Sequence, residues 1–463
     1  MHGADLSAVP SLVWGMDAKI VAASIVIMAY VILFTEKLNR AVVALLGASI
    51  MVFAGILTQA DAFKGIDFNT LALLIGMMMI VGISEKTGIF QYVAIWATKK
   101  VKASPRGILI VLAIVTAVFS AFLDNVTTVL LIVPVTLQIT KKLGIPTYPF
   151  LLIEIFASNI GGTATLIGDP PNILIRPCSA LIGSALGLSF TDFLFELTPV
   201  VTICMIVLIG IFDFFWGRRL VSTKARRTKV MNLDENAAIK DKGLLIKSLS
   251  VLFLVIAGFI SAEHFHIANG TIAIFGGAVL LLLYTLGKNH EERDHKVEEI
   301  FSIVDWTTIF FFAGLFVIVY GLEVTGVLSL LGQKFIELTE GSIQKASLLI
   351  IWVSAIVSAA IDNIPFVATM IPMLKSMEEA MGGREAMMPV WWALSLGACF
   401  GGNGTLIGAS ANVIVAGMAT RNGNPISFIG FMAWSMPIML LTVAIATAYL
   451  YVEYFMLGLG VGG

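Results

Sequence analysis

Apolar runs long enough to cross a membrane make up most of the chain, and short polar segments separate them. One membrane-spanning helix needs about 20 mainly apolar residues. In the first half this window predicts spans at 19–36, 39–58, 69–84, 149–167 and 197–216, with two shorter arms at 107–123 and 126–140. In the second half it predicts spans at 245–261, 269–287, 307–323, 388–408 and 428–455, with arms at 346–361 and 364–376. Because the arms are short, each pair is predicted to form a re-entrant hairpin.

The pattern of the first half returns in the second. Asp124-Asn125 matches Asp362-Asn363 at the hairpin tips, and Pro134 matches Pro372 at the same offset. Five crossings in each half is an odd number, so the two halves must lie in the membrane in opposite orientations. The sequence therefore predicts an all-α polytopic membrane protein made of two inverted-topology repeats, each of about five transmembrane helices with one re-entrant hairpin and one broken helix.

Two related segments interrupt apolar runs at matching places. Ser158–Asn172 reads SNIGGTATLIGDPPN, and Cys399–Asn412 reads CFGGNGTLIGASAN. Non-helical backbone inside a bilayer persists only where protein or a watery cavity satisfies its polar groups. Interrupted segments in corresponding positions of two halves indicate the binding site of a transporter. The two segments are therefore the first place to expect function.

Basic residues predict the orientation, because cytoplasmic loops carry an excess of lysine and arginine. With the N-terminus outside, the inner loops hold most of them: Lys37, Arg40, Lys99, Lys100, Lys102, Arg106, Lys141, Lys142 and the central linker. The outer loops hold few: Lys64, Arg176, Lys334, Lys345, Lys375 and Arg384. The predicted divisions are an extracytoplasmic N-terminus 1–18, repeat 1 at 19–216, a basic cytoplasmic linker 217–244, repeat 2 at 245–455 and a C-terminal tail 456–463. We expect a multi-pass protein of the cell membrane with both termini outside.

Composition agrees with a membrane protein and narrows the chemistry. The chain is 58% hydrophobic and 13% charged, and its net charge of −1 gives no reason to expect a nucleic-acid partner. Cys178, Cys204 and Cys399 lack metal-ligand or disulfide spacing. The chain shows neither a His/Glu metal cluster nor a Ser/His set. We therefore expect no metal site, no cofactor and no enzymatic activity.

Four carboxylates fall within or beside the predicted membrane segments, where ionisable groups are costly and usually functional. Asp124 and Asp362 lie at the hairpin tips, and Glu154 and Asp169 flank the first glycine motif. Asp169 corresponds to Ala409, so this carboxylate belongs to one repeat only. It is the leading candidate for coupling to a proton or Na⁺, with Asp124, Asp362 and Glu154 as further candidates. The alternative is an N-cap for a helix that starts at Pro170.

Small polar residues and glycines at the tips and motifs complete the predicted binding site. Amide and hydroxyl oxygens can ligate a small cation, and backbone N–H groups at half-helix ends can bind a solute oxygen. The alternative is that they only satisfy the broken backbone. The candidates are Asn125, Thr127, Asn159, Gly161, Gly162, Thr163, Thr165, Asn172, Asn363, Gly401, Gly402, Asn403, Thr405 and Asn412. Neither hairpin nor glycine motif contains an arginine or lysine, which favours a cation or a neutral solute over a multivalent anion.

DNVTTVLLIVP at 124–134, SNIGGTATLIGDPPNILI at 158–175 and their echoes in the second half resemble a known family. This is the arsenite-permease, sodium–proton antiporter and P-protein group of the ion transporter superfamily, and the likeness is strongest to its P-protein-like branch. The resemblance implies a scaffold domain, a transport domain, a homodimer and an elevator-like movement. The superfamily's dicarboxylate symporters carry Ser-Asn-Thr at their tips, so Asp124, Asp362 and Pro365 argue against sodium–dicarboxylate symport.

The expected function is ion-coupled secondary transport with H⁺ or Na⁺ as the coupling ion. The first expectation for the substrate is arsenite or antimonite, exported in exchange for protons. Sodium–proton exchange is the second, and transport of an inorganic or carboxylate anion, by a carrier or a channel, is the third. The expected partners are the lipid bilayer and a second copy of the chain.

Overall fold

The computed structural model describes residues 12–458 except 14, 36 and 176–187, so Arg176, Cys178 and most of the predicted terminal segments lie outside it. A two-residue hairpin pairs β1 (Leu12–Val13) with β2 (Met16–Asp17). The first half then contains α1 (Ala18–Thr35), α2 (Arg40–Phe53), α3 (Gln59–Gly65), α4 (Phe68–Lys86), α5 (Ile89–Lys100), α6 (Pro105–Phe122), α7 (Asn125–Leu143), α8 (Tyr148–Gly162), α9 (Pro170–Ile175) and α10 (Phe190–Phe215).

A linker with one helix, α11 (Lys224–Met231), leads into the second half. Its helices are α12 (Lys242–Phe265), α13 (Asn269–Thr285), α14 (His290–Ile303), α15 (Trp306–Val324), α16 (Val327–Thr339), α17 (Ile343–Ala360), α18 (Asn363–Glu378), α19 (Met388–Gly401), α20 (Ser410–Arg421) and α21 (Phe428–Leu450). Short 3₁₀ turns occur at Gly217–Arg219 and Asn236–Ala238, and a π-helical turn at Tyr451–Met456 follows α21. Within the described residues, nine helices are long and apolar enough to cross a membrane. The predicted all-α polytopic fold is confirmed.

Matched caps explain why the two halves share a pattern. Asp67 precedes α4 and its Oδ1 accepts a hydrogen bond of 2.9 Å from the Asn69 amide. Asp305 precedes α15 in the same way and accepts from the Thr308 amide at 3.1 Å. Gly88 precedes α5 with φ +82°. Gly326 precedes α16 with φ +77°, and glycine adopts this left-handed region at little cost.

Each repeat supplies half of a first bundle, in which α4 packs on α13 and α15 packs on α2. Both contacts need a glycine. A Cβ added to Gly76 would lie 2.3 Å from the Ala273 carbonyl carbon, and one added to Gly314 would lie 2.6 Å from that of Ala44. Gly76 and Gly314 are counterparts, because they are 238 residues apart, as Asp124 and Asp362 are. Therefore α2 and α13, which pack against them, are counterparts as well. The repeats therefore interlock, and α1 and α12 pack against the same bundle.

A second bundle contains the hairpins α6–α7 and α17–α18 and the broken helices α8 and α19. Every α8 residue from Pro149 to Gly162 is buried, as is every α19 residue from Pro389 to Gly401. Matching hydroxyls fix these helices to the hairpins. Ser120 Oγ donates to the Ser158 carbonyl and Ser358 Oγ to the Ala398 carbonyl, each at 2.6 Å. The two bundles correspond to the expected scaffold and transport domains.

The structure differs from the hydropathy pattern in two respects. The charged segment 288–299, which the apolar windows leave between two predicted spans, forms most of α14, which Asn289 caps at the Glu292 amide. The hairpin arms α6 and α7 contain 18 and 19 residues and are long enough to span a membrane, so the argument from short arms was wrong. The window of apolar residues excluded the polar turns at the ends of these helices.

The linker packs against the ends of α5 and α7. Lys99 forms an ion pair with Glu235 and donates a hydrogen bond of 3.2 Å to the Leu233 carbonyl. The ammonium group beside it holds the pKa of Glu235 below its ordinary value. Ser222 Oγ also donates to the Leu143 carbonyl at the end of α7, at 2.8 Å.

Candidate functional site

Each hairpin turns at an aspartate that caps the second arm. Asp124 Oδ1 accepts from the Thr127 amide at 2.8 Å, and Oδ2 accepts from the Thr127 hydroxyl at 2.5 Å. Asp362 Oδ1 accepts from the Ile364 amide at 3.3 Å. Aspartate is a preferred N-cap, so the tips are fixed by local chemistry. The Thr127 side chain therefore bonds to the aspartate of its own hairpin tip.

A line of buried asparagines joins the first tip to both broken segments. Asn125 Nδ2 donates to Asn159 Oδ1 at 3.1 Å. Asn159 Nδ2 in turn donates to Asn403 Oδ1 and to Asn412 Oδ1, at 3.0 Å each. The sequence-predicted residues of the two repeats thus meet in one buried network.

Two asparagines close the broken segments and face the opposite repeat. Asn172 Nδ2 donates to the Thr163 and Thr165 carbonyls at 3.0 and 2.9 Å. Asn412 Nδ2 donates to the Gly402 and Thr405 carbonyls at 2.8 Å each. These bonds satisfy the broken backbone, as the alternative interpretation expects. Asn172 Oδ1 also accepts from Ser395 Oγ of the second repeat at 2.6 Å.

The predicted glycines and threonines mainly support the backbone. A Cβ on Gly161 would lie 2.4 Å from the Ala117 carbonyl oxygen, and one on Gly401 would lie 2.6 Å from that of Ala355. These two glycines let the broken helices approach the hairpins closely. Thr165 Oγ1 donates to the Ala121 carbonyl, and Thr405 Oγ1 to the Ala359 carbonyl at 2.6 Å. Cβ atoms on Gly162 and Gly402 would meet the carbonyl oxygens of Gly168 and Gly408.

Asp169 lies between the repeats. It is 1% exposed and immediately precedes α9. Its Oδ1 accepts a bond of 3.3 Å from Asn363 Nδ2 at the second hairpin tip, and its Oδ2 has no partner among the described residues. Asp169 therefore contacts the opposite repeat, with one oxygen available to a proton or cation.

Glu154 is separate from this centre. It is fully buried in α8, where its Oε1 accepts from Thr136 Oγ1 at 2.5 Å. Its Oε2 has no partner within the described part of the chain. The structure does not bring Glu154 to the hairpin tips.

Arg40 is the site residue that sequence reasoning missed. This first residue of α2 reaches the second tip, where Nη1 lies 3.2 Å from Asp362 Oδ2 and 3.1 Å from Ser410 Oγ. Nη2 donates to Thr308 Oγ1 at 2.9 Å. The hairpins and glycine motifs themselves contain no basic residue, but Arg40 brings a positive charge to the second tip from another helix, so the argument against an anion loses its premise. In the sequence, Arg40 served only as evidence of orientation. No sequence feature connects it to Asp362, which lies 322 positions away.

Arg40 and Asp362 line an open cleft of about 310 Å³. Its remaining wall is mainly apolar and includes Leu33, Pro365 and Phe311, whose ring centroid is 5.5 Å from the guanidinium carbon. Beside Asp124 at the first tip the space is only about 20 Å³. The structure is thus open at one tip and nearly closed at the other.

The two tips also differ in charge. Packing makes α2 and α13 counterparts, and their first residues are Arg40 and Asn269. Asn269 is fully buried, and neither side-chain polar atom has a partner in the described structure. A cation thus faces the open tip, and the corresponding helix begins with a neutral amide.

Comparison with known proteins identifies the family to which this chain belongs. The CitMHS family model, described as a citrate transporter, matches residues 30–397. The chain belongs to the CitMHS family. This CitMHS protein is 45% identical over 443 residues to an uncharacterized transporter of Mycobacterium tuberculosis, covering 95% of this chain and 99% of the relative. It is 32% identical to the human P protein over 95% of this chain, which spans 60% of that longer protein.

Solved structures share the fold of this CitMHS protein. The YdaH transporter of Alcanivorax borkumensis aligns over 96% of this chain and 100% of its own with a TM-score of 0.62 at 14% identity. MtrF of Neisseria gonorrhoeae aligns over 99% of both chains with a TM-score of 0.58 at 15% identity. The predicted P-protein resemblance is confirmed, and the chain is a multi-pass membrane transporter.

Proposed function

We propose that this protein is an ion-coupled carrier for a small anion, which enters at the cleft beside the second hairpin tip. The Arg40 guanidinium in that cleft is the observation that carries the proposal. Arginine presents several N–H donors in a planar fork that matches carboxylate and phosphate oxygens. Thr308 and Ser410 place hydroxyls beside it. An anion, the third substrate expected from the sequence, is therefore the first substrate that we propose.

The cleft suits a small organic or inorganic anion in size and character. Ligand sites commonly have volumes of roughly 300–1,000 Å³, with apolar walls and a few placed polar groups. The cleft of about 310 Å³ lies at the lower end of this range. The family description names citrate, so a carboxylate is the first candidate.

Ion coupling is proposed to involve the carboxylates rather than Arg40, which remains charged at all ordinary pH values. Asp169 has the strongest support, because its Oδ1 contacts the opposite repeat through Asn363 while its Oδ2 has no partner among the described residues. Asp124 and Asp362 lie at the tips, and Glu154 is buried in α8. A proton or Na⁺ is the proposed coupling ion.

Uptake into proteoliposomes tests this function. Purified protein is reconstituted, and radiolabelled citrate, phosphate and chloride are offered with and without inward proton or sodium gradients. We expect gradient-driven uptake of at least one anion and its loss in Arg40→Gln. Arg421→Gln, at the exposed end of α20, is the matched control. The absence of uptake of all three anions would reject anion transport.

Arsenite or antimonite export in exchange for protons remains a second candidate. Cys399 supplies the supporting observation, because its thiol is buried at the centre with Sγ 3.6 Å from Asn172 Oδ1. Sulfur is a soft ligand that suits soft acceptors. Everted vesicles should accumulate antimonite in a proton-dependent manner, and Cys399→Ser should weaken this accumulation. Equal transport by the variant would remove the support from Cys399.

A further inference from the structure

We propose that Asp362 competes with the transported anion for Arg40, so that the anion binds when Asp362 has taken up a proton. This inference rests on the proposed anion transport and concerns the regulation of the same cleft. In the structure the Asp362 carboxylate lies against the Arg40 guanidinium, where an incoming anion would bind, with Oδ2 3.2 Å from Arg40 Nη1. A second carboxylate beside the same guanidinium would be repelled by the Asp362 carboxylate.

Solvent can reach both members of the pair. The Arg40 side chain is 31% exposed and the Asp362 side chain 24% exposed, within the open cleft. A proton from water can therefore convert the Asp362 carboxylate to a neutral carboxylic acid. Arg40 then keeps its charge and exchanges the carboxylate for the incoming anion. For a monovalent anion, one proton and one negative charge enter together, so the net charge of the cleft is unchanged.

The same exchange loosens a contact between the two bundles. Arg40 and Thr308 belong to the first bundle. Asp362 belongs to the second, and Ser410 begins α20, which packs on α7 and α8 of that bundle. Arg40 bonds to all three and so ties the second hairpin to α2 and α15. Loss of the Asp362 charge removes the ionic part of this tie. The Tyr30 hydroxyl, which donates to the Pro365 carbonyl at 2.8 Å, remains as a neutral contact.

Among the described residues, the other charged groups around the pair do not take over this role. Asp305 on α15 approaches Arg40 at 4.0 Å, but its Oδ1 is engaged by the Thr308 amide and its Oδ2 by the Thr308 hydroxyl. Asp169 faces the tip through Asn363. On the other face of the pair, Ser410 from α20 is neutral. Asp362 is thus the carboxylate that exchanges.

The first experiment needs no substrate. Purified full-length protein is treated with phenylglyoxal, which modifies arginine, and modification of Arg40 is compared with that of exposed Arg421 by peptide mass spectrometry. Asp362→Asn keeps an N-capping side chain but removes the charge. We expect it to raise the relative modification of Arg40 several-fold at neutral pH. Asp305→Asn, the matched control, should change it little. Equal modification in wild type and Asp362→Asn would overturn the proposal.

The second experiment measures citrate, phosphate and chloride uptake as the pH is varied on the cleft side. If the anion binds only to copies with a protonated Asp362, raising the pH on the cleft side lowers the competent fraction and raises the apparent Kd for the anion. We expect wild type to follow this dependence and Asp362→Asn to lose it. Anion uptake with the same pH dependence in both proteins would overturn the competition alone. No uptake by wild type would overturn the proposed function and the competition with it.

Discussion

Asn159 of the first broken helix donates its amide hydrogen to Asn412 of the second, with 3.0 Å between Nδ2 and Oδ1. Asn159 also accepts from Asn125 and donates to Asn403, so one buried side chain connects the first hairpin with the opposite repeat. The centre of the protein is therefore held by neutral amides. The charged groups lie at its edge, at Asp169 and at the tips.

Asn159→Ala should destabilise the folded protein, because it leaves the side chains of Asn125, Asn403 and Asn412 short of partners. An unsatisfied buried polar group costs about 1–3 kcal/mol. Thermal unfolding in detergent should show a clearly lower midpoint. Asn424→Ala, at an exposed turn, is the control and should leave the midpoint unchanged. A wild-type midpoint in Asn159→Ala would mean that this network adds no stability.

Gly76→Ala should prevent α4 from packing on α13, because the new Cβ would lie 2.3 Å from the Ala273 backbone. Backbone cannot move aside as a flexible side chain can, and overpacking typically costs about 1–3 kcal/mol or more. Gly210→Ala in α10 meets nothing within 4 Å and should be tolerated. Size-exclusion profiles of the two variants give the comparison. Two monodisperse profiles would contradict the close approach.

Thr136→Val should destabilise the second bundle by about 1–3 kcal/mol, because it removes the hydrogen bond to buried Glu154. Adding Glu154→Leu should restore stability, since an apolar group then replaces the unpaired carboxyl. The corresponding residue of the other repeat is Leu394. Unfolding midpoints of the single and double variants test this. A double variant less stable than Thr136→Val would refute the argument.

Glu235→Gln should release the linker from α5. The lowered pKa of Glu235 means that its pairing with Lys99 contributes to stability above the ordinary glutamate pKa, and that this contribution disappears as the pH falls through the lowered value. At neutral pH the variant should therefore be cut faster by trypsin within α11. Glu340→Gln disrupts a more exposed pair with Lys345 elsewhere and serves as the control. Equal cleavage of α11 in both variants would show that Lys99–Glu235 does not hold the linker.

The predicted orientation can be tested with single cysteines, introduced into a chain whose native cysteines are replaced by serine. Thr228→Cys lies in the linker helix and Lys345→Cys at the start of α17, and both positions are exposed. With the N-terminus outside, an impermeant maleimide added to intact cells should label position 345 and spare position 228. The reverse pattern would invert the orientation.

The repeat could be predicted because its signals are local. An aspartate that caps a helix, a glycine at positive φ and a glycine under a crossing helix each require a particular residue type at a particular place. Asp67, Gly88 and Gly76 show the three cases, and their counterparts fill the same roles. For the same reason the broken segments and hairpin tips could be located without coordinates.

Arg40 could not be predicted, because its role depends on how α2 and the second hairpin pack. Arg40 and Asp362 come together because the two repeats interlock. Their sequence separation of 322 residues gives no indication of this contact. α5, α14 and α16 also escaped prediction, because a window tuned to apolar spans does not detect amphipathic helices. Of these differences, the position of Arg40 is the one that moved the proposed substrate from a cation or neutral solute to an anion.

The interlocked repeats impose an order on synthesis. Translation completes α4 at Lys86, but the helix that packs against Gly76 is complete only at Thr285. The nascent first half must therefore insert and wait in the bilayer with its glycine face open to lipid. A ribosome that stalls before α13 leaves that face uncovered. The first bundle closes only after the second half has entered the membrane, so assembly of the protein is a late event in its translation.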